Sequence, residues 1–427
     1  MTVAVQAALA AYNLAWKGVM PLLKFNSRLE DGWGQRTLSG ELPAPADLWI
    51  QAASGGEAYL AWEVLKNMTV ANGRSLRVIA TTNTRQGFET LQRAADDVNG
   101  RKVGLAVQPW HFPFDAPSLM KRAVKRVNPK CALILETEIW PGFLSACRKA
   151  GTKILLANGR MTAKSLGGYM AWPGLFRALA PDRVMAVSET DGHRFATLFG
   201  RHRVTTMPNI KFDRMAGAGP MARKDNPLRE AVAPKREFVV LGSVRKQEAD
   251  AVCALTGDLL RVRPGIAVGL FPRHMHHVEL WTKRLDAVGL RWTLRSKMQG
   301  TVGPGEVIVW DAFGELVPAY GLASAAFVGG SLAPLGGQNF LEPLTCGVVP
   351  VIGPHWSNFA WAGREAFDSG LVVEARDAAD AAAAVVRILK DKPARKGVAA
   401  KARAYIRDRS GGAEATAKQV AHFLDSV

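Results

Sequence analysis

The sequence has little cysteine and lacks the motifs that mark the commonest nucleotide-binding proteins. Its four cysteines are scattered over 427 residues with no CxxC pair, which argues against a disulfide framework and against a structural zinc site. Neither a GxxxxGK(S/T) phosphate loop nor a GxGxxG fingerprint occurs, so ATP hydrolysis and nicotinamide chemistry have no sequence support. The scattered, unpaired cysteines fit a protein of the reducing cytosol best.

Acidic residues are also few relative to basic ones. Lys and Arg number 55 against 37 Asp and Glu, which gives a formal net charge of +18. Such an excess indicates an anionic partner: a phosphorylated ligand, an acidic membrane surface or nucleic acid. No zinc-finger spacing, RNP-like aromatic motif or long Lys/Arg run is present, so nucleic acid is the weakest of the three.

The N-terminal segment is apolar but contains no unbroken hydrophobic run long enough to span a bilayer. Gln6, Asn13 and Lys17 interrupt it, whereas a spanning helix needs about 20 nearly continuous apolar residues. No small-residue cleavage site follows a positively charged start, which argues against a removable signal peptide. We predict a membrane-associated helix within residues 1–30, and a helix packed on its own domain is the alternative.

After this segment, short β-branched runs alternate with helical patterns, which predicts α/β domains built on parallel sheets. Six strands are predicted in the first half: LWIQAA, SLRVIATT, KVGLAVQ, CALILE, TKILLAN and DRVMAVS. Five strands are predicted in the second half: EFVVLGS, GIAVGLFP, EVIVWD, SAAFVGGS and VVPVIG. A segment with linker composition separates the halves, since it is rich in Gly, Pro and charge.

The pattern predicts two doubly wound, Rossmann-like domains, because 427 residues exceed what one core usually supports. The first domain covers 31–212, a linker covers 213–235, and the second domain covers 236–427 and ends in Ala-rich helices. Ligands of open α/β sheets bind beyond the carboxyl ends of the strands. We therefore expect the two domains to face each other across a cleft, with functional residues just after the strands.

Three carboxylates follow predicted strands in the first half. Glu57 opens a helix in ASGGE, where Ser54 and Glu57 match the S-x-x-E capping box, so it is either a helix cap or a catalytic group. Glu136 and Glu138 end the strand CALIL, where two carboxylates are costly unless cations or hydrogen bonds offset them. They are acid/base or positioning groups, or simply anions at a helix start. Lys211 in PNIKFD adds a cation to the same predicted cleft, although such lysines are usually solvated.

Glycine-rich turns follow the strands of the second half. In VGGSLAPLGGQNFLEP the glycines let the backbone approach a ligand closely, and the N–H groups of the following helix start favour a phosphate. Ordinary capping by Asn339 and Glu342 explains the same spacing. Arg273 follows another strand and can neutralise a phosphate, while the histidines after it favour an exposed loop over a metal site. Gly314 and Glu315 open a further predicted helix.

Taken together, these segments resemble one family, the 3-deoxy-D-manno-octulosonic acid (Kdo) transferases, which attach Kdo to the lipid A precursor. The matching motifs occur in family order: AASGGE, TTNTRQG, PFDAP, LETEIWP, NGRMTAKSLGGY, NIKFD, PRH, FGEL, GGSLAPLGGQNFLEP and GPHWSNF. The resemblance implies a GT-B glycosyltransferase fold, CMP-Kdo as donor substrate, and an inverting transfer that uses no metal or other cofactor. It also implies a phosphorylated lipid A precursor (lipid IVA) as acceptor and attachment to the cytoplasmic face of the inner membrane.

By the same resemblance, the functional positions of the family fall on residues of this chain. The general base falls on Glu57, and the charge-stabilising positions fall on Glu136, with Glu138 as the alternative, and on Lys211. Because a helix start favours an anion, we expect Glu57 to stay ionised. The nucleotide contacts fall on a further set: Pro272, Arg273, Phe313, Gly314, Glu315, Asn339, Phe340, Leu341 and Glu342.

The chain departs from the family pattern mainly on the predicted donor side. Gln338 replaces a histidine, Val244 and Arg245 stand where Thr-His is usual, and Pro208 replaces a glycine before the NIKFD motif. Two alternatives to Kdo transfer therefore stay open. One is a GT-B enzyme that uses another nucleotide sugar, and the other is a non-catalytic, membrane-associated protein that binds the sugar nucleotide or lipid A.

Overall fold

The computed structural model describes residues 2–70, 75–101, 104–217 and 219–426, and of Arg28 the backbone only. These residues form two compact units, Met1–Arg214 with Arg409–Val427, and Met215–Asp408. Within the described residues each unit contains a seven-stranded sheet, and all neighbouring strands run parallel. The predicted α/β class with two doubly wound sheets is confirmed.

The sheet of the first unit is built from β1 (Leu48–Gln51), β2 (Leu76–Thr82), β3 (Leu105–His111), β4 (Cys131–Leu135), β5 (Lys153–Gly159), β6 (Arg183–Ala186) and β7 (Val204–Thr206). The strand order is β3-β2-β1-β4-β5-β6-β7, so the winding direction reverses between β1 and β4. In open parallel sheets this switch point is where ligands bind.

The helices of the first unit are α1 (Val3–Leu23), α2 (Trp33–Thr37), α3 (Gly55–Lys66), α4 (Arg85–Gly100), α5 (Pro117–Val127), α6 (Pro141–Ala150), α7 (Ala163–Met170), α8 (Pro173–Ala178), α9 (Glu189–Phe199) and α10 (Ile210–Ala216). They cover both faces of the sheet. Leu48 and Ile50 of β1 pack into the core on one face and Trp49 into the core on the other. Burial on both faces explains why these strands read as continuous apolar runs.

Helix α1 packs one side on the first unit through Val5, Ala8 and Leu9, which are buried. Other apolar side chains of this segment are exposed, among them Leu22 (68%) and Phe25 (87%). In the part of the chain that the structure describes, no helix is both long enough and apolar enough to cross a membrane.

The sheet of the second unit is built from β8 (Phe238–Val244), β9 (Ala267–Pro272), β10 (Trp292–Leu294), β11 (Val307–Val309), β12 (Ala325–Val328), β13 (Pro350–Ile352) and β14 (Val373–Glu374). The strand order is β10-β11-β9-β8-β12-β13-β14, with its switch point between β8 and β12. The helices are α11 (Ala249–Val262), α12 (Val278–Ala287), α13 (Leu316–Leu322), α14 (Leu341–Thr345), α15 (Glu365–Asp368), α16 (Ala378–Asp391) and α17 (Arg395–Arg407).

The structure differs from the predicted division at the end of the chain. Helix α18 (Gly412–Asp425) packs on the core of the first unit, because Ala417 and Val420 face that core. The Asp213 carboxylate accepts hydrogen bonds from the N–H groups of Gly411 (2.7 Å) and Gly412 (3.1 Å) at the start of this helix. The second unit therefore ends at Asp408 and not at the end of the chain.

All eleven predicted strands are present, although Lys102 and Val103 of the third prediction lie outside the described residues. Three strands were not predicted, namely β7, β10 and β14, and each lies at an edge of its sheet. The predicted linker is also partly core, since Leu228 and Val232 are buried in the second unit.

Candidate active site

The carboxylates predicted in the first half gather at the switch point of the first sheet. Glu57 lies in the first turn of α3, directly after β1, and Glu136 and Glu138 follow the neighbouring strand β4. Lys211 lies near the start of α10, and its Nζ is 2.7 Å from Glu136 Oε1. The structure thus brings together all four residues, here named the acidic site: Glu57, Glu136, Glu138 and Lys211.

The Glu57 side chain turns back towards its own backbone. Its Oε2 accepts a hydrogen bond from the N–H of Ala53 (2.6 Å), and its Oε1 accepts one from the Ser54 hydroxyl (3.1 Å). The Glu57 N–H in turn donates to Ser54 Oγ (3.4 Å). With 9% of its surface exposed, Glu57 is nearly buried. The predicted helix cap is therefore confirmed. The carboxylate accepts its backbone hydrogen bond from the N–H of Ala53, one residue before the N-cap residue Ser54.

Burial, followed by the charges of Glu138 and Glu136, raises the pKa of Glu57 from 4.5 to about 7. The hydrogen bonds from Ala53 and Ser54 lower it less than these effects raise it. At neutral pH Glu57 is therefore only partly ionised, because burial and the neighbouring carboxylates raise its pKa more than its hydrogen bonds lower it. The expectation that Glu57 stays ionised holds above about pH 7. A carboxylate with a pKa near 7 is well matched to general-base catalysis.

Glu138 shares this environment. Burial, together with the charge of Glu136, raises the pKa of Glu138 above its ordinary value. Groups whose pKa values are perturbed by burial and by like charges are typical of functional sites. The proton affinity of Glu57 therefore depends on the charges of Glu138 and Glu136, and that of Glu138 on the charge of Glu136.

Glu136 is held in a strained backbone conformation. Its φ of +59° lies in the left-handed region, which costs a non-glycine residue on the order of 1–3 kcal/mol. The Glu136 N–H donates to the carbonyl of Ala157 (3.0 Å), and the next residue, Thr137, donates its hydroxyl to the carbonyl of Arg160. These bonds to β5 and the loop after it hold Glu136 beside Lys211. Such strain is often found at functional sites.

Two buried asparagines fix the backbone around Lys211. Asn158 Oδ1 accepts a hydrogen bond from the Ile210 N–H (2.9 Å), and Asn209 Oδ1 accepts one from the Lys211 N–H (3.0 Å). Both asparagines are at most 5% exposed. Both asparagines lie in motifs noted in the sequence, NGRMT and PNIKFD, but the prediction of site residues rested on the charged residues of those motifs. An asparagine near the end of a strand, as at position 158, and one just before a helix, as at position 209, are the signal that was missed.

The first glycine turn of the second unit binds a carboxylate of its own chain. Glu248 is 3% exposed, and its oxygens accept hydrogen bonds from the N–H groups of Gly330 (2.5 Å), Ser331 (3.2 Å) and Leu332 (3.2 Å) and from that of Arg245 (2.9 Å). The prediction that these glycines give a ligand close access to the backbone is therefore wrong for this turn, because Glu248 occupies the position. Glu248 was not among the predicted site residues; its position three residues after Arg245, immediately before α11, is the signal that the sequence offered.

The second glycine pair leads into a short capped helix. Asn339 Oδ1 accepts a hydrogen bond from the Leu341 N–H (3.2 Å), and Asn339 Nδ2 donates to Glu342 Oε1 (3.0 Å). The capping interpretation is thus confirmed for Asn339 at the start of α14, which has five residues, whereas Glu342 takes part through its hydrogen bond from Asn339. The side chains of Phe340 and Leu341 are fully buried, so only their backbone groups are placed to meet a ligand. Nucleotide contact by this segment stays a prediction.

Cations and histidines surround the carboxyl ends of β8 and β9. Pro272 ends β9 and is buried, whereas Arg273 is exposed and its N–H donates to the carbonyl of Val244 (2.9 Å). Burial and repulsion from Arg245 and Arg273 lower the pKa of His274. We name this group the basic cluster: Arg245, Lys246, Arg273, His274, His276 and His277. Within the described ranges no three His, Cys, Asp or Glu side chains are placed to hold a metal ion.

The FGEL segment follows β11 on the same edge of the second sheet. Phe313 is 82% exposed, and Gly314 has a φ of +81°, which favours glycine. Glu315 precedes α13, as predicted, and its Oε2 accepts hydrogen bonds from Arg295 Nε (2.9 Å) and Trp310 Nε1 (2.6 Å). Glu315 is therefore held in place by side chains of its own unit.

Comparison with known proteins agrees with this architecture. The family model described as 3-Deoxy-D-manno-octulosonic-acid transferase (kdotransferase) matches residues 30–214. The chain is 32% identical to the 3-deoxy-D-manno-octulosonic acid transferase of Bordetella pertussis, over 97% of this chain and 99% of that protein. It is 27% identical to that of Haemophilus influenzae, over 87% and 86% of the two chains.

A solved glycosyltransferase of Rickettsia africae superposes with a TM-score of 0.59, over 90% of this chain and all of that chain. The sequence identity is 11%, so this similarity speaks for the fold alone. Together with the two parallel seven-stranded sheets of the described residues, it confirms the predicted GT-B glycosyltransferase fold.

Proposed function

Because this chain belongs to the 3-deoxy-D-manno-octulosonic acid (Kdo) transferase family and is a glycosyltransferase, we propose that it transfers Kdo from CMP-Kdo to a phosphorylated lipid A precursor, lipid IVA, with inversion at the anomeric carbon. One observation carries the proposal: the acidic site combines a carboxylate whose pKa is near 7 with two further carboxylates and a lysine. Such a carboxylate accepts a proton readily at neutral pH. The transfer of Kdo to a sugar hydroxyl requires this, because the attacking hydroxyl must lose its proton.

In this mechanism Glu57 is the general base. It removes the proton from a sugar hydroxyl of the acceptor as that oxygen attacks the anomeric carbon of Kdo. The new C–O bond forms while the bond to the phosphate of CMP breaks, and CMP leaves with the electron pair. A positioned base of this kind contributes about 10²- to 10⁴-fold to the rate.

The cap and the base are compatible roles for Glu57. An ionised carboxylate offers roughly four lone-pair sites, and Ala53 and Ser54 use two of them. The remaining sites accept the substrate proton, while the two hydrogen bonds fix the carboxylate in orientation. The cap thus pre-organises the base, which is the condition for efficient proton transfer.

Glu136, Glu138 and Lys211 support this step by charge. The carboxylates of Glu138 and Glu136 make Glu57 more basic, and Lys211 holds Glu136 through its 2.7 Å ion pair. We assign the charge-stabilising role to Glu136 with Lys211, and the tuning of Glu57 chiefly to Glu138, since Glu138 has the larger effect on the Glu57 pKa.

On the donor side, the basic cluster is the proposed site for the phosphate of CMP. After burial, the charges of Arg245 and Arg273 contribute to lowering the pKa of His274, and a bound anion would offset these charges. Glu248 occupies the N–H groups of the glycine turn after β12, which leaves charge-assisted contacts from Arg245 and Arg273 as the means of holding the phosphate. Phe313, Gly314, Glu315 and the backbone of residues 339–342 are proposed to contact the rest of the nucleotide.

We further propose that α1 attaches the protein to the cytoplasmic face of the inner membrane without crossing it. Apolar side chains such as Leu14 (70% exposed), Leu22 and Phe25 face away from the first unit. Lys17 and Lys24 accompany them, and each basic residue near an anionic surface contributes ~1 kcal/mol to attachment.

The proposal is tested by incubating the purified protein with CMP-Kdo and a tetraacyl lipid A precursor, and by measuring CMP release and the mass of the lipid product. We expect CMP release coupled to addition of Kdo, and strongly slowed release by Glu57→Ala. If the protein releases a nucleotide only from another nucleotide sugar, the donor is a different one. Binding of CMP-Kdo without any CMP release identifies a binding protein, and either result refutes the assignment.

A further inference from the structure

We propose that Tyr12 and Asp115 are positioning residues for the acidic site, because together they hold the loop that carries Glu136 and Glu138. This inference rests on the function proposed for that site and deepens it. It makes α1, which contributes Tyr12, part of the structure that supports the chemistry.

Asp115 anchors the helix that follows the loop. Its Oδ2 accepts a hydrogen bond from the Gly142 N–H (2.8 Å), and its Oδ1 accepts one from the Phe143 N–H (2.7 Å). A helix start leaves its first N–H groups without backbone partners, and Pro141 has no N–H to satisfy. The backbones also approach closely, since a Cβ at position 142 would lie 2.2 Å from the Asp115 carbonyl oxygen. Asp115 therefore fixes where α6 begins.

Helix α1 adds further contacts to Asp115 and its neighbours from the side that packs on the first unit. The Tyr12 hydroxyl donates a hydrogen bond to Asp115 Oδ2 (3.1 Å). The neighbouring Asn13 Oδ1 accepts one from the Ser118 N–H (2.9 Å) at the start of α5. One turn further along α1, the Trp16 ring stacks on Phe114 at a centroid distance of 5.7 Å. Polar and aromatic contacts of α1 thus converge on the loop that contains Asp115.

The loop with the two carboxylates is held at both ends. At its start, the Glu136 N–H donates to Ala157 and the Thr137 hydroxyl donates to Arg160. At its other end, the loop runs into α6, whose first turn Asp115 holds. Between these two anchors lie Glu138 and the residues next to it, so a shift of α6 displaces Glu138 relative to Glu57.

The Tyr12 hydroxyl matters because Asp115 is costly to bury. Asp115 is 1% exposed, and burial raises its pKa to about 7 against the opposing effect of the hydrogen bonds from Gly142, Phe143 and Tyr12. Removing the hydroxyl takes away one of these donors. The carboxyl then holds a proton more readily, and a protonated carboxyl is a weaker acceptor for the α6 backbone. The loop before α6 loosens as a result.

The first test compares Tyr12→Phe with wild type in the full-length protein. A displacement of 1 Å at a reacting group costs on the order of 10²-fold in rate, so we expect partial loosening in Tyr12→Phe to lower kcat about tenfold. We expect the KM for CMP-Kdo to stay unchanged, because the residues proposed to hold CMP lie in the second unit. Tyr59→Phe is the matched control, since it removes a hydroxyl from the outer side of α3 and leaves the loop contacts intact. An unchanged kcat for Tyr12→Phe overturns the proposal.

The second test measures hydrogen exchange and needs no Kdo transfer. We expect the amides of residues 137–143 to exchange at least several-fold faster in Tyr12→Phe than in wild type and in Tyr59→Phe. Equal exchange in all three proteins overturns the positioning role even if kcat falls. If wild type transfers no Kdo, the proposed function fails, yet faster exchange in Tyr12→Phe still supports the anchor itself.

Discussion

Glu57→Gln removes a charge from the first unit while it preserves the shape of the side chain. The amide oxygen of glutamine accepts the hydrogen bond from the Ala53 N–H, and the amide NH₂ donates to Ser54 Oγ, so the cap of α3 is retained. What disappears is a carboxyl whose pKa burial, Glu138 and Glu136 raise from 4.5 to about 7. The substitution therefore isolates the energetic cost of keeping an ionised base in this position.

The magnitude follows from the change in pKa on folding. A carboxyl whose pKa is raised in the folded protein stabilises the fold below its unfolded pKa of about 4.5, and this contribution is lost as the pH rises through about 7. At pH 8 the ionised Glu57 thus destabilises wild type by about 3 kcal/mol relative to a neutral side chain. We expect Glu57→Gln to be more stable than wild type by about this amount at pH 8, and equal to it at pH 4.

The assay is urea unfolding of wild type and Glu57→Gln at both pH values, with Kdo transfer measured on the same preparations. Glu63→Gln is the control, because Glu63 lies on the same helix in an ion pair with Lys66 (2.9 Å) outside the acidic site. We expect Glu57→Gln to gain stability at pH 8 and to lose about 10²- to 10⁴-fold in rate. The same pH dependence of stability in wild type and Glu57→Gln refutes the reasoning.

Three further outcomes are expected. Glu138→Gln removes a negative charge that raises the Glu57 pKa, so the acid limb of kcat/KM moves down by on the order of one pH unit or less, and an unmoved limb contradicts the coupling. Arg245→Ala weakens CMP binding about tenfold in calorimetry and leaves cytidine binding unchanged, whereas equal losses for both ligands contradict a phosphate contact. Glu248→Gln turns an NH₂ group towards backbone donors and lowers the free energy of unfolding by about 2–3 kcal/mol, so unchanged stability contradicts a structural role of the hydrogen bonds from Gly330 and Ser331 to Glu248.

The two sheets were predictable because their central strands are buried on both faces. Strands such as β4, CALIL, are continuous apolar runs, and the alternation with helices fixed their parallel arrangement. The edge strands β7, β10 and β14 have two or three residues each, which is too short to give a periodic pattern. The attachment of α18 to the first unit depends on tertiary packing, which no local pattern records.

The acidic site was predictable from position, since Glu57, Glu136 and Glu138 directly follow neighbouring strands. The proton affinity of Glu57 was not, because burial depends on the whole unit and here raises the pKa of Glu57 more than its hydrogen bonds lower it. Glu248 was missed for a similar reason. Glycine pairs accommodate an internal carboxylate as well as a ligand, and only the fold shows that the glycine turn after β12 meets a buried glutamate.

The most direct test of the central role of Glu57 is the pH dependence of Kdo transfer by wild type and Glu57→Gln under single-turnover conditions. We expect the wild-type rate to rise with an apparent pKa near 7, as Glu57 becomes ionised. Glu57→Gln is expected to be at least about 100-fold slower and to lack this limb. A Glu57→Gln variant that transfers Kdo at the wild-type rate, with the limb still near pH 7, contradicts the assignment of Glu57 as the base.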